Sequence, residues 1–138
     1  MRGLSIARLG AGAVGVVYIA IGLIGFAFTG FDGLVANQGE AMLWFDLNPF
    51  HNIVHLVVGA GLFSVALVRQ SAIAEGALVG GGLVYLLAAF LGFVNYLPIL
   101  SIDATYAVDN FLHLASGTAA ILIGVLGALQ ARASLQRA

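Results

Sequence analysis

The chain contains no cysteine, no lysine and only two prolines among its 138 residues. Without cysteine there is no disulfide framework, no thiolate metal ligand and no cysteine nucleophile. Charge is scarce as well: charged side chains are 8% of the residues, against about 25% in soluble domains, so water is not the solvent for most of the surface. The net charge of -1 provides no basic face, and nucleic acid is not an expected partner. Gly-rich phosphate loops, nucleophile elbows and HExxH motifs are also missing, so catalysis has no positive support.

What the chain has in abundance is hydrocarbon: 62% of its residues are hydrophobic and the mean hydropathy is +1.08. Four runs are long enough to span a bilayer: Leu9 to Phe28, Pro49 to Val68, Ala77 to Val94 and Val108 to Leu129. A hydrocarbon core of about 30 Å takes around 20 helical residues at 1.5 Å each. Inside lipid the backbone must pair with itself, so these runs are expected as helices. The expected fold is therefore all-α and integral to the membrane, with four transmembrane helices in a single domain, residues 1–138.

The five arginines, Arg2, Arg8, Arg69, Arg132 and Arg137, all fall on one side of a four-span topology. Asp32, Glu40, Asp46, Asp103 and Asp109 fall toward the other, with Glu75 alone among the arginines. The positive-inside rule then places both termini in the cytoplasm of a bacterial inner (plasma) membrane. The first apolar run is too long for a cleaved signal peptide and lacks a clear small-x-small site, so it is expected to stay as a span.

The chain also repeats itself. "GVVYIAIGLIGF" from Gly15 matches "GLVYLLAAFLGF" from Gly82 at an offset of 67, with Tyr18/Tyr85 and Gly25/Gly92 among the identities. The next span matches its counterpart at an offset of 58, through Asn52/Asn110, His55/His113 and Gly59/Gly117. A two-helix hairpin duplicated in tandem, with halves 1–69 and 70–138, accounts for both offsets. Two spans per unit make the copies parallel, about an axis along the membrane normal.

The helix openings "NPFHNIVHLVVG" and "DNFLHLASG", each following a span with glycine and tyrosine, resemble the bacterial membrane family known as domain of unknown function 4383. The resemblance covers almost the whole chain. It implies a small four-helix inner-membrane protein and brings no activity or catalytic residue with it.

Asn48 and Pro49 form an N-cap and N1 pair that starts the second span. His51, His55 and Gly59 then share one stripe at i, i+4 spacing, as do Asp109, His113 and Gly117. His55 lies about 10 Å along its helix, and ionisable groups at that depth face the bundle rather than lipid. The two stripes are expected to converge toward the outer side, with Tyr18 or Tyr85 approaching from below.

Three readings of these residues stand side by side. The plainest is structural: Asp109 and Asn110 satisfy amides at a helix start, while His55 and His113 hydrogen-bond across the bundle to each other, to Asn52 or Asn110, or to the tyrosines. The second is a site for a divalent metal such as zinc, or for a proton, built from His51, His55, Asp109 and His113. The third is haem b between His55 and His113, with Gly59 and Gly117 making room for the macrocycle. Small-residue ridges at Gly76 and Gly80, and at Ser116, Ala120, Gly124 and Ala128, suit helix packing within the monomer, or in a homo-oligomer or a larger membrane complex. The long connection around Trp44 and Phe45 is expected as a short interfacial helix, or as a lid over the histidines.

Overall fold

The computed structural model describes residues 5–37 and 41–137. Arg2 and Glu40, used above for orientation, lie outside the described residues. Among those described, four helices are long and apolar enough to cross a membrane. They are α1 (Ile6–Thr29), α2 (Pro49–Leu67), α3 (Ser71–Phe93) and α4 (Val108–Gln136).

Each helix begins where local chemistry allows it. Ser5 starts α1, its hydroxyl accepting from the Arg8 amide at 3.2 Å. Asn48 starts α2, its carbonyl oxygen accepting from the His51 amide at 2.8 Å, with Pro49 in the first turn. Three helices extend beyond their apolar runs, α1 by starting at Ile6 and taking in Arg8, because one or two polar residues do not stop a helix whose neighbours supply the packing. α3 starts at Ser71 rather than Ala77, which brings Glu75 into the helix, and α4 continues past Leu129 to Gln136.

The helices pack chiefly as two hairpins, α1 on α2 and α3 on α4. Lipid tails are as apolar as leucine, so side-chain hydrophobicity cannot drive this pairing, and close backbone approach matters instead. A Cβ at Gly15 would lie 2.8 Å from the Gly59 carbonyl oxygen, and one at Gly82 would lie 2.6 Å from the Gly117 carbonyl oxygen. Large apolar side chains such as Leu23, Val57, Leu83 and Leu126 stay exposed on the outside, where lipid covers them. At the end where α1 starts, the interior holds Ala7, Ala11, Leu62, Ala66, Ala74 and Leu78, with no polar atom in their side chains.

The connections at the opposite end correct one expectation. The stretch around Trp44 and Phe45 is not an interfacial helix. It turns at Gly30 and Gly33, each with φ of 62°, and then forms a short hairpin of β1 (Ala41–Met42) and β2 (Phe45–Asp46). Leu43 at the hairpin tip has a φ of 65°, which no right-handed helix accommodates. The second connection runs through a 3-10 turn at Pro98–Leu100 and a bridge between Leu97 and Ile102. Asn48 donates from Nδ2 to the Ile99 carbonyl at 3.0 Å, and Ser101 donates to Asn37 Oδ1 at 3.1 Å, so the two connections close over the bundle as one cap. Leu47 and Ile102 are fully buried within it.

Candidate functional site

Beneath the cap, five aromatic side chains form a closed circuit of contacts. The His51 ring stacks on His55 with centroids 4.7 Å apart, and His55 lies 5.4 Å from Tyr18. Tyr18 stacks on Tyr85 at 5.2 Å with planes 9° apart, the α1 residue against its α3 counterpart. Tyr85 meets the His113 ring edge-on at 5.3 Å, and His113 returns to His51 at 5.9 Å. All five are buried. The i, i+4 spacing on α2 stacks the first two rings, and Tyr18 on α1, Tyr85 on α3 and His113 on α4 supply the other three.

Hydrogen bonding divides the histidines. His51 Nδ1 faces the Asp46 carbonyl at 3.2 Å, and the Leu100 carbonyl also reaches the ring. In contrast, Nδ1 of His55 and Nδ1 of His113 are buried with no hydrogen-bond partner. Neither Nδ1 bonds to the other histidine, to asparagine or to tyrosine. Stacked and edge-on rings bring faces together and leave nitrogen lone pairs unaddressed.

Asp109 is buried at the same end of the bundle, and its Oδ2 accepts the Asp46 amide at 3.0 Å. It holds the β hairpin to α4, whose N-cap, Ala107, makes no side-chain capping bond. Asp46 therefore serves both stripes, with its amide toward Asp109 and its carbonyl toward His51. Partial burial, reinforced by the Asp103 charge, raises the Asp46 carboxyl above its ordinary range.

The two asparagines act as struts. Asn52 donates to the Thr29 hydroxyl at 2.8 Å, and Asn110 donates to the Ala104 and Thr105 carbonyls at 3.1 Å each. Their amide oxygens have no conventional partner and lie directly over Gly25 and Gly92, in the space a Cβ there would need. That placement suits Cα–H···O contacts, which are weak and available only while the facing residue is glycine. Asp46, Leu100 and Thr29 were not singled out by sequence reasoning. Their contributions come through backbone groups or one unremarkable hydroxyl, which leave no pattern in a sequence.

Below the tyrosines sits a cavity of about 20 Å³, lined by both tyrosines and by Val14, Leu62, Leu78 and Ala120 among others. It has room for about one water molecule. The apolar interior follows immediately, so the polar circuit occupies the capped half of the bundle only.

The donor set can be tested against the groups considered for it. Among the described residues no three His, Asp or Glu side chains are placed to hold a metal ion. A flat macrocycle between His55 and His113 does not fit, because the rings of His51, Tyr18 and Tyr85 already pack there at 4.7 to 5.9 Å.

A family described as Domain of unknown function (DUF4383) matches residues 8–126. The chain belongs to this family. The match takes in both hairpins and every ring of the circuit, which makes the cluster part of the DUF4383 domain rather than of an appendage. No curated protein and no solved structure matches the chain.

Proposed function

We propose that this multi-pass membrane protein is an accessory protein whose capped half exchanges a proton at His55 and His113. The observation that carries the reading is the pair of buried Nδ1 atoms without partners. A polar atom buried and unpaired costs about 1–3 kcal/mol, and purely structural polar groups are normally satisfied. Two such atoms at equivalent positions of the two hairpins are sites where a proton, or a water delivering one, gains a bond. Ionisable groups inside a span are functional by default, which points the same way. The stacked tyrosines next to the imidazoles provide hydroxyls that can relay such a proton, each taking it up only as it releases its own.

A divalent metal such as zinc remains the second member of this reading. It requires Asp109 to leave the Asp46 amide and the imidazoles to turn their nitrogens toward one point. The proton requires neither change. Elemental analysis of the purified protein separates the two, and no Soret band is expected.

The surrounding readings belong to the same proposal. The chain is one domain of two tandem hairpins, supported by equivalent glycine contacts in both halves and by equivalent asparagine struts. Its arginines argue for cytoplasmic termini in an inner membrane, with the capped end outside. Cysteines introduced at positions 137 and 36 should label from opposite sides, and labelling from the same side would overturn this topology. The exposed apolar surface suits a homo-oligomer or a larger membrane complex, and the mass of the gently extracted protein reads that directly.

The deciding experiment is nuclear magnetic resonance of histidine-labelled protein across about pH 4 to 8, the range that brackets the ordinary imidazole pKa. At least one of His55 and His113 should change protonation state, with a simultaneous change at Tyr18 or Tyr85. Both imidazoles holding one state throughout would leave a structural role in its place.

A further inference from the structure

The two hairpins differ most at the end away from the cap. By the offset of 67, Glu75 on α3 occupies the position of Arg8 on α1. Arg8 is satisfied: its Nε donates to the Ala66 carbonyl near the end of α2 at 2.9 Å. Glu75 meets no such partner. α4 carries on to Gln136 where α2 stops at Leu67, so the carboxylate lies beside a continuing helix whose backbone N–H groups are already paired. Glu75 Oε1 is buried and has no hydrogen-bond partner.

Beside it a groove of about 440 Å³ opens on the outer face between α3 and α4. Its floor is made by Gly76, Gly124 and Ala128, and Arg132 stands at its rim with Glu75. Arg132 is exposed and makes no ion pair with a described residue. Glu75 and Arg132 both sit about one turn inside their helix ends, at the depth where the hydrocarbon of a bilayer meets its head groups. The volume falls within the roughly 300–1,000 Å³ of ordinary ligand sites.

An acid needing an N–H donor, a guanidinium suited to phosphate and a smooth apolar trough describe a zwitterionic lipid in outline. We infer that this groove binds an aminophospholipid with an ethanolamine head group, from the leaflet on the side of the chain termini. The primary ammonium donates to the Glu75 carboxylate. The phosphate accepts from Arg132, whose planar fork suits phosphate oxygens. One acyl chain lies over Gly76 and Ala128, where the missing side chains leave space. A choline head cannot substitute, because its quaternary nitrogen carries no N–H to give the carboxylate. An anionic glycerol head satisfies Arg132 but offers the carboxylate only neutral hydroxyls, weaker donors to it than an ammonium. A second copy of this chain would fill the trough without explaining the two charges.

Native mass spectrometry of the detergent-solubilised full chain tests this with dioleoyl phosphatidylethanolamine, phosphatidylcholine and phosphatidylglycerol added at equal concentration. The unaltered protein should retain the ethanolamine lipid about tenfold better than the choline lipid, the size of one charge-assisted hydrogen bond. Glu75→Gln should reduce that preference to about twofold or less, since a neutral amide loses the charge assistance. Gly76→Phe provides an independent block: a Cβ at Gly76 meets nothing within 4 Å, so the phenyl ring enters the groove without touching the core. It should lower retention of the ethanolamine lipid while the thermal unfolding midpoint stays unchanged. Equal retention of the ethanolamine and choline lipids, or a preference that survives both substitutions, would overturn the inference. So would a lipid-free dimer that Gly76→Phe converts to monomer, which would assign the groove to a second copy.

Discussion

Asn52 on α2 places its amide oxygen in the volume where any side chain at Gly25 on α1 would begin. Asn110 does the same over Gly92 between α4 and α3. Each contact ties the two helices of a hairpin together near the capped end. Each also uses a glycine and an asparagine that recur in both halves of the sequence.

Gly25→Ala and Gly92→Ala should therefore each destabilise the protein by about 1–3 kcal/mol, the usual cost of forcing extra carbon into a packed interior. Gly61→Ala provides the contrast, since a Cβ at Gly61 meets nothing within 4 Å. That change should be neutral or slightly stabilising, because alanine favours helix over glycine. Thermal unfolding in detergent compares all three.

The histidines should separate on replacement by phenylalanine. His55→Phe keeps a flat ring in the stack and removes an unpaired nitrogen, so stability should hold or rise. His51→Phe leaves the Asp46 and Leu100 carbonyls without the ring they face, and should cost about 1–3 kcal/mol. Equal losses for both would show that His55 is satisfied in solution.

Arg8→Met should cost about 1 kcal/mol or somewhat more through the lost bond to the Ala66 carbonyl. Methionine keeps most of the apolar stem, so the change isolates the hydrogen bond from the packing. Hydrogen exchange at the end of α2 should rise before exchange elsewhere in the bundle does.

The cap should respond to pH through Asp46. Burial and Asp103 raise its carboxyl pKa above the ordinary value of 3.8, so the folded state holds that proton more tightly than the unfolded state. The resulting stabilisation is fully present below the unfolded pKa and is lost as pH rises through the raised folded value. Unfolding midpoints measured across that window should fall with rising pH, and Asp46→Asn should remove this component of the slope. Asp109→Ala, which deletes the acceptor of the Asp46 amide, should instead speed exchange of that amide at every pH.

The amino-acid sequence by itself determined the four spans, because hydropathy over about 20 residues depends on composition and not on what lies beside it. It also determined which residues share a stripe, since i, i+4 spacing on α2 puts His51 over His55 whatever else the chain does. Family membership was legible for the same reason: the asparagine–histidine openings are local strings. The tertiary structure alone decided which atoms are paired. That His51 reaches backbone carbonyls while His55 and His113 leave Nδ1 open depends on where two distant connections close over the bundle. Asp109 reads as a helix cap from its position, yet it binds an amide 63 residues away because the hairpin folds across it. Gly76, Gly124 and Ala128, the small residues of the groove beside Glu75, are legible in the sequence as helix-packing ridges, but the unpaired carboxylate oxygen beside them is not. Only the packed helices show that Glu75 keeps a buried oxygen without a partner between α3 and α4.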